Sequence, residues 1–254
     1  MTISLDNISI GYGSIVVADG INAELNSGQL TCLLGANGAG KSTLLRTLSA
    51  FQPALAGSIT YDGRALDDFT PQERARLISV VLTERSKMEY MSVCDLVAMG
   101  RMPYTGFWGR LTETDNDFVS EAMKLAGISA LERRMFNTLS DGERQKVMIA
   151  KVLAQQTPVV LLDEPTAFLD FPSKVEMLRL LRRLAHDMQK IIFLSTHDVE
   201  LALQLSDRLW IMYPGEVIIG KPDELSQNGE LSRFIQADGI HFDPSLMSFR
   251  ITEK

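Results

Sequence analysis

The chain has 254 residues, of which 45% are hydrophobic and 22% charged, a composition that is typical of a globular protein and excludes a disordered chain. Its formal net charge of −7 argues against a general nucleic-acid-binding protein, which would normally carry a basic excess. The N-terminal residues lack a basic stretch followed by an apolar core, and no window approaches the ~18 apolar residues of a spanning helix, so we expect neither secretion nor a membrane span.

The first thirty residues or so predict short β-segments with turns at Gly13–Ser14 and at Asn26–Gly28, which indicates an antiparallel patch. From Gln29 the run QLTCLLG is continuously apolar, as in a buried parallel strand. The following KSTLLRTLSAF carries leucines at helical spacing. We expect Cys32, inside the apolar run, to be a small buried hydrophobe rather than a disulfide partner or metal ligand.

Residues 85 to 140, with approximate limits, contain no run typical of a buried strand and predict an inserted helical subdomain within a single domain of residues 1–254. After Ser140, helices and apolar strands alternate again, with strands in PVVLLDEP and KIIFLSTHD. This alternation predicts an α/β fold with a mostly parallel sheet covered on both faces. The tail predicts a hairpin around Pro214–Gly215, and the residues after it carry no motif that we can interpret.

A phosphate-binding loop is indicated by GANGAGKS, from Gly35 to Ser42, which matches G-x-x-x-x-G-K-[ST] between a predicted strand and a predicted helix. The glycines let successive backbone N–H groups point at phosphate oxygens, and the helix adds the positive end of its dipole. Lys41 would reach the β- and γ-phosphates, and the Ser42 hydroxyl would bind Mg²⁺. A turn that only connects strand to helix would not explain the Lys-Ser pair. The predicted nucleotide-binding residues are Gly35, Asn37, Gly38, Ala39, Gly40, Lys41, Ser42 and Thr43.

A second element, PVVLLDEP, is an apolar run that ends in two carboxylates, Asp163 and Glu164. Both acids therefore fall at the C-terminal end of a predicted strand, the edge at which open α/β sheets bind ligands. Because side chains alternate along a strand, the two acids can have different roles. We expect Asp163 to hold Mg²⁺ through its hydration shell and Glu164 to polarise or deprotonate the water that attacks the γ-phosphate. The alternative is a pair of surface acids at a strand end.

A third motif, TLSDGERQKVMIAKVLA, contains Leu139–Glu143, which is similar to the signature of the ATP-binding-cassette (ABC) ATPases. Together with the two motifs above, in the order and spacing of that family, it makes the chain resemble these ATPases over essentially its whole length, from Tyr12 to the tail. The resemblance implies a P-loop NTPase fold and hydrolysis of ATP with Mg²⁺. It also implies that Ser140, Gly142 and Glu143 belong to a site for the ATP held by a second subunit, so that two copies form a homodimer. Asp141 replaces the commoner glycine and is tolerated if its side chain points away. On spacing alone, Ser140 and Glu143 form the N-cap and capping box of a helix.

Three more positions match the family one at a time. Tyr12 corresponds to the aromatic residue that stacks on adenine, although a strand aromatic that packs locally is the alternative. Asp170 in TAFLD matches the loop that crosses the dimer interface. His197 in LSTHD matches the histidine that contacts the γ-phosphate and orients the water, whereas a lone histidine at a strand end is more often structural. The resemblance thus assigns catalysis to Lys41, Glu164 and His197.

One position departs from the family pattern, which places a glutamine next to Mg²⁺ and the attacking water. The matching residue here is Thr83, or Glu84 if the register slips by one. Threonine keeps an oxygen for a metal-bound water but loses the reach and the amide donor of glutamine. We therefore predict slower or less strictly gated hydrolysis. The ATPase rate of a Thr83→Gln variant tests this, and an unchanged rate with unchanged coupling to the partner would contradict it.

The segment Ser92 to Leu111, SVCDLVAMGRMPYTGFWGRL, places aromatic residues among glycines and a proline. It is similar to the helical-subdomain surface of importers of the iron-siderophore, haem and cobalamin type, where it lies beside the groove for a coupling helix of the permease. A helix in a groove needs apolar anchors with a polar rim. The alternative is a loop that packs its own aromatic rings onto the subdomain. The candidate anchors are Met99, Met102, Tyr104, Phe107 and Trp108.

A single cassette without a predicted spanning helix resembles the separate ATPase subunit of an importer. The resemblance implies a peripheral protein on the cytoplasmic face of the inner or cell membrane, which binds a polytopic permease and does not touch the transported substrate. Two other classes stay open: a soluble ABC ATPase that drives assembly of a cytosolic complex, such as iron–sulfur cluster assembly, and a nucleotide-binding regulator that does not hydrolyse ATP. Lys41, Asp163, Glu164 and His197 argue against the regulator.

Overall fold

The computed structural model describes residues 1–82, 90–106, 108–235 and 240–251. Its strands are β1 (Thr2–Tyr12), β2 (Ile15–Asn26), β3 (Gln29–Gly35), β4 (Ala56–Tyr61), β5 (Arg64–Ala65), β6 (Ile78–Val81), β7 (Val159–Asp163), β8 (Ile191–Ser195), β9 (Arg208–Tyr213), β10 (Glu216–Gly220), β11 (Ile240–Asp243) and β12 (Ser248–Ile251). Its α-helices are α1 (Lys41–Leu48), α2 (Pro71–Leu77), α3 (Val93–Ala98), α4 (Glu113–Leu125), α5 (Asp141–Ala154), α6 (Phe171–Asp187), α7 (Val199–Leu205), α8 (Pro222–Gln227) and α9 (Glu230–Phe234).

The central sheet of the described chain has the strand order β10-β9-β3-β8-β7-β6. All neighbouring pairs are parallel except β9 and β10, which form the antiparallel hairpin that the tail predicts. Successive residues of β3 face opposite sides, so that Cys32 and Leu34 lie in one hydrophobic core and Leu33 in the other. Cys32 is fully buried, as predicted. The mixed α/β class with a mostly parallel sheet is therefore confirmed.

A second sheet, with the order β2-β1-β4-β5, is antiparallel throughout, which confirms the predicted N-terminal patch. It shares a core with α1 and one face of the central sheet. In that core the rings of Phe193 and Trp210 meet edge to face, with their centroids 5.0 Å apart. This arrangement places α1, which follows the phosphate-loop sequence, between the two sheets.

The chain between β6 and β7 forms α3, α4 and α5 with short 3₁₀ turns. Each of the three helices begins after a side-chain cap, since the hydroxyls of Ser92, Thr112 and Ser140 each accept a hydrogen bond from the backbone N–H three residues later. These helices pack on one another and on the face of the sheet that also carries α6. The separate helical subdomain with limits near 85 and 140 stays a proposal, and residues 83–89 at its start lie outside the described residues.

The C-terminal part adds two short helices and a second hairpin, β11–β12. Phe242 of this hairpin is buried in the core that contains Cys32 and Leu34, here called the main core. Its ring centroid lies 5.1 Å from that of Phe249. Across the described ranges, none of the helices combines the length and the apolar character that crossing a bilayer requires.

Candidate functional site

The predicted phosphate and acidic motifs meet at the carboxyl-terminal edge of the central sheet. Strand β3 ends at Gly35, β7 at Asp163 and β8 at Ser195, and the three strands are parallel neighbours. In the register of the sheet, Asp163 pairs with Ser195, and Leu33 of β3 pairs with the same serine. The loops after these three strands therefore lie together at the carboxyl-terminal edge of the sheet, where open α/β folds bind ligands.

The phosphate loop has a backbone that requires glycine at one position in particular. Gly40 has a φ of 106°, and a Cβ built on it would lie 2.3 Å from Cγ1 of Val17. Any larger residue there would be strained in conformation and would also clash. α1 begins at the next residue, Lys41, so its free N–H groups and positive dipole end face the loop. The local geometry is that of an anion-binding helix N-terminus.

Lys41 folds back over this loop. Its Nζ donates hydrogen bonds to the carbonyl oxygens of Gly35, at 2.9 Å, and Ala36, at 3.1 Å. The side chain is almost completely buried, and this burial lowers the pKa of its ammonium group, while the carboxylates of Glu164 and Asp163 act in the opposite direction. A desolvated ammonium group next to a helix N-terminus is suited to bind a polyanion.

Asp163 joins the phosphate loop to the acidic strand end. Its Oδ2 accepts a hydrogen bond from Oγ of Ser42 at 2.8 Å, and its Oδ1 accepts one from Oγ of Ser195 at 2.7 Å. The Ser42 hydroxyl and the Asp163 carboxylate thus form a pair of adjacent oxygen donors. Mg²⁺ prefers oxygen ligands and commonly takes one or two from the protein, with the rest from water and phosphate. The donor set therefore fits Mg²⁺ bound together with a nucleotide.

Glu164 and His197 form the exposed end of the same polar chain. Oε1 of Glu164 lies 2.7 Å from Nε2 of His197, and the backbone N–H of Glu164 donates to Oγ of Ser195 at 2.9 Å. Glu164 has a φ of 50°, a left-handed conformation that is uncommon for this residue type and frequent at functional sites. Its carboxylate is partly open to solvent, with 29% of the side chain exposed. It can therefore reach a water molecule outside the protein core.

Ser195 is a site residue that the sequence analysis missed. One hydroxyl holds both acids, by donating to Asp163 and accepting from the N–H of Glu164. Its signal in the sequence is a polar residue at the end of the apolar run of LSTHD, directly before Thr196 and His197. A hydroxyl group in this position fixes the two acids relative to each other.

Tyr12 lies at the end of β1, next to the start of α1. Half of the residue is exposed, and its hydroxyl oxygen accepts a hydrogen bond from Oγ1 of Thr43 at 2.9 Å. The bond holds one edge of the ring to the phosphate-loop helix and leaves the ring accessible. This placement suits a flat base whose phosphates occupy the loop.

Ser140, Gly142 and Glu143 lie together at the N-terminus of α5. Ser140 and Glu143 form a complete capping box, and the hydrogen bond from the backbone N–H of Ser140 is the first cause that lowers the pKa of the Glu143 carboxyl. Gly142 lies beside the start of α6, since a Cβ built on it would be 3.9 Å from Oγ of Ser173. Asp170 caps α6 by accepting from the N–H of Ser173 at 3.1 Å. These bonds lie within the N-terminus of α5 and within that of α6, and none of them reaches Lys41 or Glu164.

Asp141 pairs with Arg144 on its own helix, with its Oδ1 3.3 Å from Nη1. The carboxylate is therefore directed along α5. Thr83 and the neighbouring Glu84 lie outside the described residues, so the predicted Mg²⁺ contact of Thr83 stays a prediction.

The segment Ser92 to Leu111 contains two kinds of apolar residue. Met102 and Trp108 are exposed, at 63% and 82%. Met99 packs against the main core, and Oη of Tyr104 donates to the carbonyl oxygen of Gln155 at 3.0 Å. Met99 and Tyr104 thus contribute to the packing of the segment itself, which is the alternative that the sequence left open. Phe107 lies outside the described residues.

Comparison with known proteins agrees with this geometry. The family model described as ABC transporter matches residues 18–167. An uncharacterized ABC transporter ATP-binding protein of Methanocaldococcus jannaschii is 43% identical to the chain over 221 residues, which are 87% of this chain and 76% of the relative. The ferric enterobactin transport ATP-binding protein FepC of Escherichia coli is 34% identical over 221 residues, which are 87% of this chain and 82% of FepC.

Among solved structures, a metal-chelate type ABC transporter in an inward-facing conformation matches with a TM-score of 0.80 and 26% identity. The match covers 92% of this chain and 88% of the solved one.

Proposed function

Because the chain belongs to the ABC transporter family and is an ATPase of that family, we propose that it is the ATP-hydrolysing subunit of an importer for an iron chelate, haem or cobalamin. ATPase domains of this family form dimers and work with a membrane permease in importers. The observation that supports ATP hydrolysis is the hydrogen-bonded chain from Ser42 through Asp163 and Ser195 to Glu164 and His197, which brings the predicted phosphate-binding and catalytic residues to one sheet edge.

We infer that ATP binds with adenine on the Tyr12 ring and its phosphates in the loop of Gly35 to Thr43. Lys41 would exchange its two carbonyl acceptors for oxygens of the β- and γ-phosphates, which is favourable because the phosphate oxygens carry the opposite charge and the carbonyl oxygens are neutral. Ser42 and Asp163 would hold Mg²⁺, which supplies positive charge that neutralises the phosphates.

Hydrolysis needs a base for the attacking water, and Glu164 is the exposed carboxylate at the site. His197 holds Oε1 of this carboxylate, so the side chain already has a defined orientation. We infer that Glu164 polarises the water while His197 contacts the γ-phosphate. Ser195 keeps Glu164 in register with Asp163, which positions the base relative to the phosphate loop.

The second half of each ATP site would come from a second copy of the chain. The Ser140 end of α5 presents a helix N-terminus with a small residue at Gly142, which is suited to an anion that approaches from outside. Asp170 and the start of α6 lie next to it and would form part of the same face. ATP binding would then close a homodimer on the cytoplasmic side of the membrane, and hydrolysis would release it.

The importer part of the proposal rests on the relatives that carry siderophore transport in their names and on the exposed surface of Met102 and Trp108. Binding to a polytopic membrane protein in a pull-down from solubilised membranes tests it. A soluble ATPase that drives assembly of a cytosolic complex would instead co-purify with cytosolic proteins alone. Transport of the cargo itself would need no contact with this chain.

We predict that Trp108→Ala weakens binding to the permease by about 10- to 30-fold, since a buried aromatic anchor typically contributes about 2 kcal/mol to an interface. The measurement is the dissociation constant of the detergent-solubilised permease on immobilised wild-type and variant protein. Ile251→Ala, which truncates an equally exposed apolar residue at the far end of the chain, is the control and should bind as wild type. Equal affinity of the Trp108 variant, with normal uptake, would show that Trp108 is not an anchor.

A further inference from the structure

Arg101 is a buried arginine that none of the assigned roles uses. It lies in the 3₁₀ helix Met99–Tyr104 and is 4% exposed. Its guanidinium carbon lies 4.0 Å from the ring centroid of Tyr104 and 4.6 Å from that of Phe118. A guanidinium group between two aromatic rings is desolvated and fixed in orientation.

The polar atoms of Arg101 bind two different helices. Nε donates to Oδ1 of Asp115, in the first turn of α4, at 2.9 Å. Nη1 donates to the carbonyl oxygen of Ala154, in the last turn of α5, at 2.7 Å. The last carbonyls of a helix have no partner within it and form the negative end of its dipole, so a cation is favourable there.

Two neighbours of Arg101 bind the same end of α5. Gly100 packs so closely on it that a Cβ would lie 2.3 Å from the carbonyl oxygen of Lys151. Tyr104 donates to the carbonyl oxygen of Gln155, as described above. The segment Met99–Tyr104 therefore contacts the C-terminal end of α5 through three residues, Gly100, Arg101 and Tyr104.

The opposite end of α5 carries Ser140. Fourteen residues at about 1.5 Å each make the helix roughly 21 Å long. We propose that Arg101 is a positioning residue that fixes the segment Met99–Tyr104 rigidly to α5, so that a displacement at Ser140 moves the exposed Met102. This inference rests on the proposed function for its biological meaning, but the rigid attachment is a property of the chain alone.

A variant without Arg101 should still fold, because Asp115 keeps other hydrogen-bond partners. Its Oδ2 accepts from the N–H of Thr112 at 3.0 Å and from the hydroxyl of Thr112 at 2.7 Å. These bonds are the first causes that lower the pKa of the Asp115 carboxyl, ahead of its contact with Arg101. The N-terminus of α4 therefore stays capped in an Arg101→Met variant.

The test measures the distance distribution between spin labels at Met102→Cys and Asp141→Cys, near the two ends of α5, by pulsed electron spin resonance on the full chain. Cys94→Ala removes the accessible native thiol. Cys32 needs no replacement, because it is completely buried and burial raises its pKa to about 12. We expect one narrow distribution for the wild-type sequence and one at least about twice as wide for Arg101→Met.

Met123→Ala is the matched control, since it truncates a buried side chain of α4 in the same core and leaves the residues of the segment unchanged. It should lower the melting temperature and leave the distribution narrow. A distribution in the Arg101→Met protein as narrow as in the wild type overturns the proposal. Equal broadening by Met123→Ala also overturns it, because the effect would then be general loss of stability.

A second readout is transport per ATP hydrolysed in vesicles that contain the permease. We expect Arg101→Met to lower this ratio at least about tenfold, within the usual range of coupling between sites, whereas Met123→Ala keeps it. An unchanged ratio overturns the coupling role of Arg101. If no permease binds the wild-type chain, the proposed function fails, and the distance measurement still decides on the rigid attachment.

Discussion

Replacing Glu164 with glutamine should stop ATP turnover while leaving ATP bound. The amide cannot accept a proton from the attacking water, and loss of a positioned general base commonly costs 10²- to 10⁴-fold in rate, so we expect kcat to fall by at least about 100-fold. Glutamine has nearly the same size and can still accept a hydrogen bond from His197. The affinity for ATP should be equal or higher, because a negative charge near the γ-phosphate is removed.

The measurements for this variant are steady-state phosphate release and equilibrium binding of ATP, with size-exclusion chromatography in ATP to detect the dimer. Glu176→Gln is the control, because it removes the same charge from the exposed side of α6, where Glu176 pairs with Lys146. It should keep the wild-type rate. Turnover of Glu164→Gln within twofold of wild type would show that another group activates the water.

Replacing Lys41 with methionine should abolish tight binding of the nucleotide. Two charge-assisted hydrogen bonds to phosphate contribute about 1.5–3 kcal/mol each, so we expect the ATP dissociation constant to rise by at least about 100-fold. Methionine keeps an unbranched apolar chain of similar length. Burial already disfavours the charge of this ammonium group, which is why its pKa is lowered, so its removal should cost the nucleotide-free protein little stability.

Thermal unfolding with and without ATP measures both the binding of ATP and the stability of the nucleotide-free protein. ATP at 100 times its dissociation constant stabilises the wild-type fold by about 2.7 kcal/mol, and the variant should show almost none of this shift at the same concentration. Lys124→Met, an exposed lysine at the end of α4, is the control and should shift as wild type does. A full ATP-dependent shift in Lys41→Met would mean that the loop holds the phosphates without the lysine.

The sequence was sufficient to predict the parallel sheet and the strand edge at which the phosphate and acidic motifs meet. One apolar run is followed by a glycine-rich loop, and another ends in two acids. Each pattern predicts where a strand ends. The contact of Ser195 with the two acids could not be predicted, because it depends on the pairing of β7 with β8. Only that register brings Ser195 opposite Asp163. A serine in an otherwise apolar run carries no information about its partner on another strand.

The segment Ser92 to Leu111 shows a second limit of sequence reasoning. Five apolar residues were candidate anchors because aromatic and methionine side chains suit a helix-binding groove. The close packing of Gly100 on α5 orients the described residues next to it, so that Arg101 and Tyr104 face inward. Met102 and Trp108 remain exposed. Composition predicts a coupling surface in this segment, and the packing shows which of the described candidate side chains are exposed.

We propose that this chain hydrolyses ATP to drive a membrane permease. Uptake of a radiolabelled ferric chelate, measured together with phosphate release, tests this in vesicles that contain the permease bound by this chain and a binding protein loaded with the chelate. We predict uptake that requires ATP, phosphate release that rises when the loaded binding protein is added, and loss of both with Glu164→Gln. ATP turnover that is the same with and without the permease, and no uptake, would contradict the account.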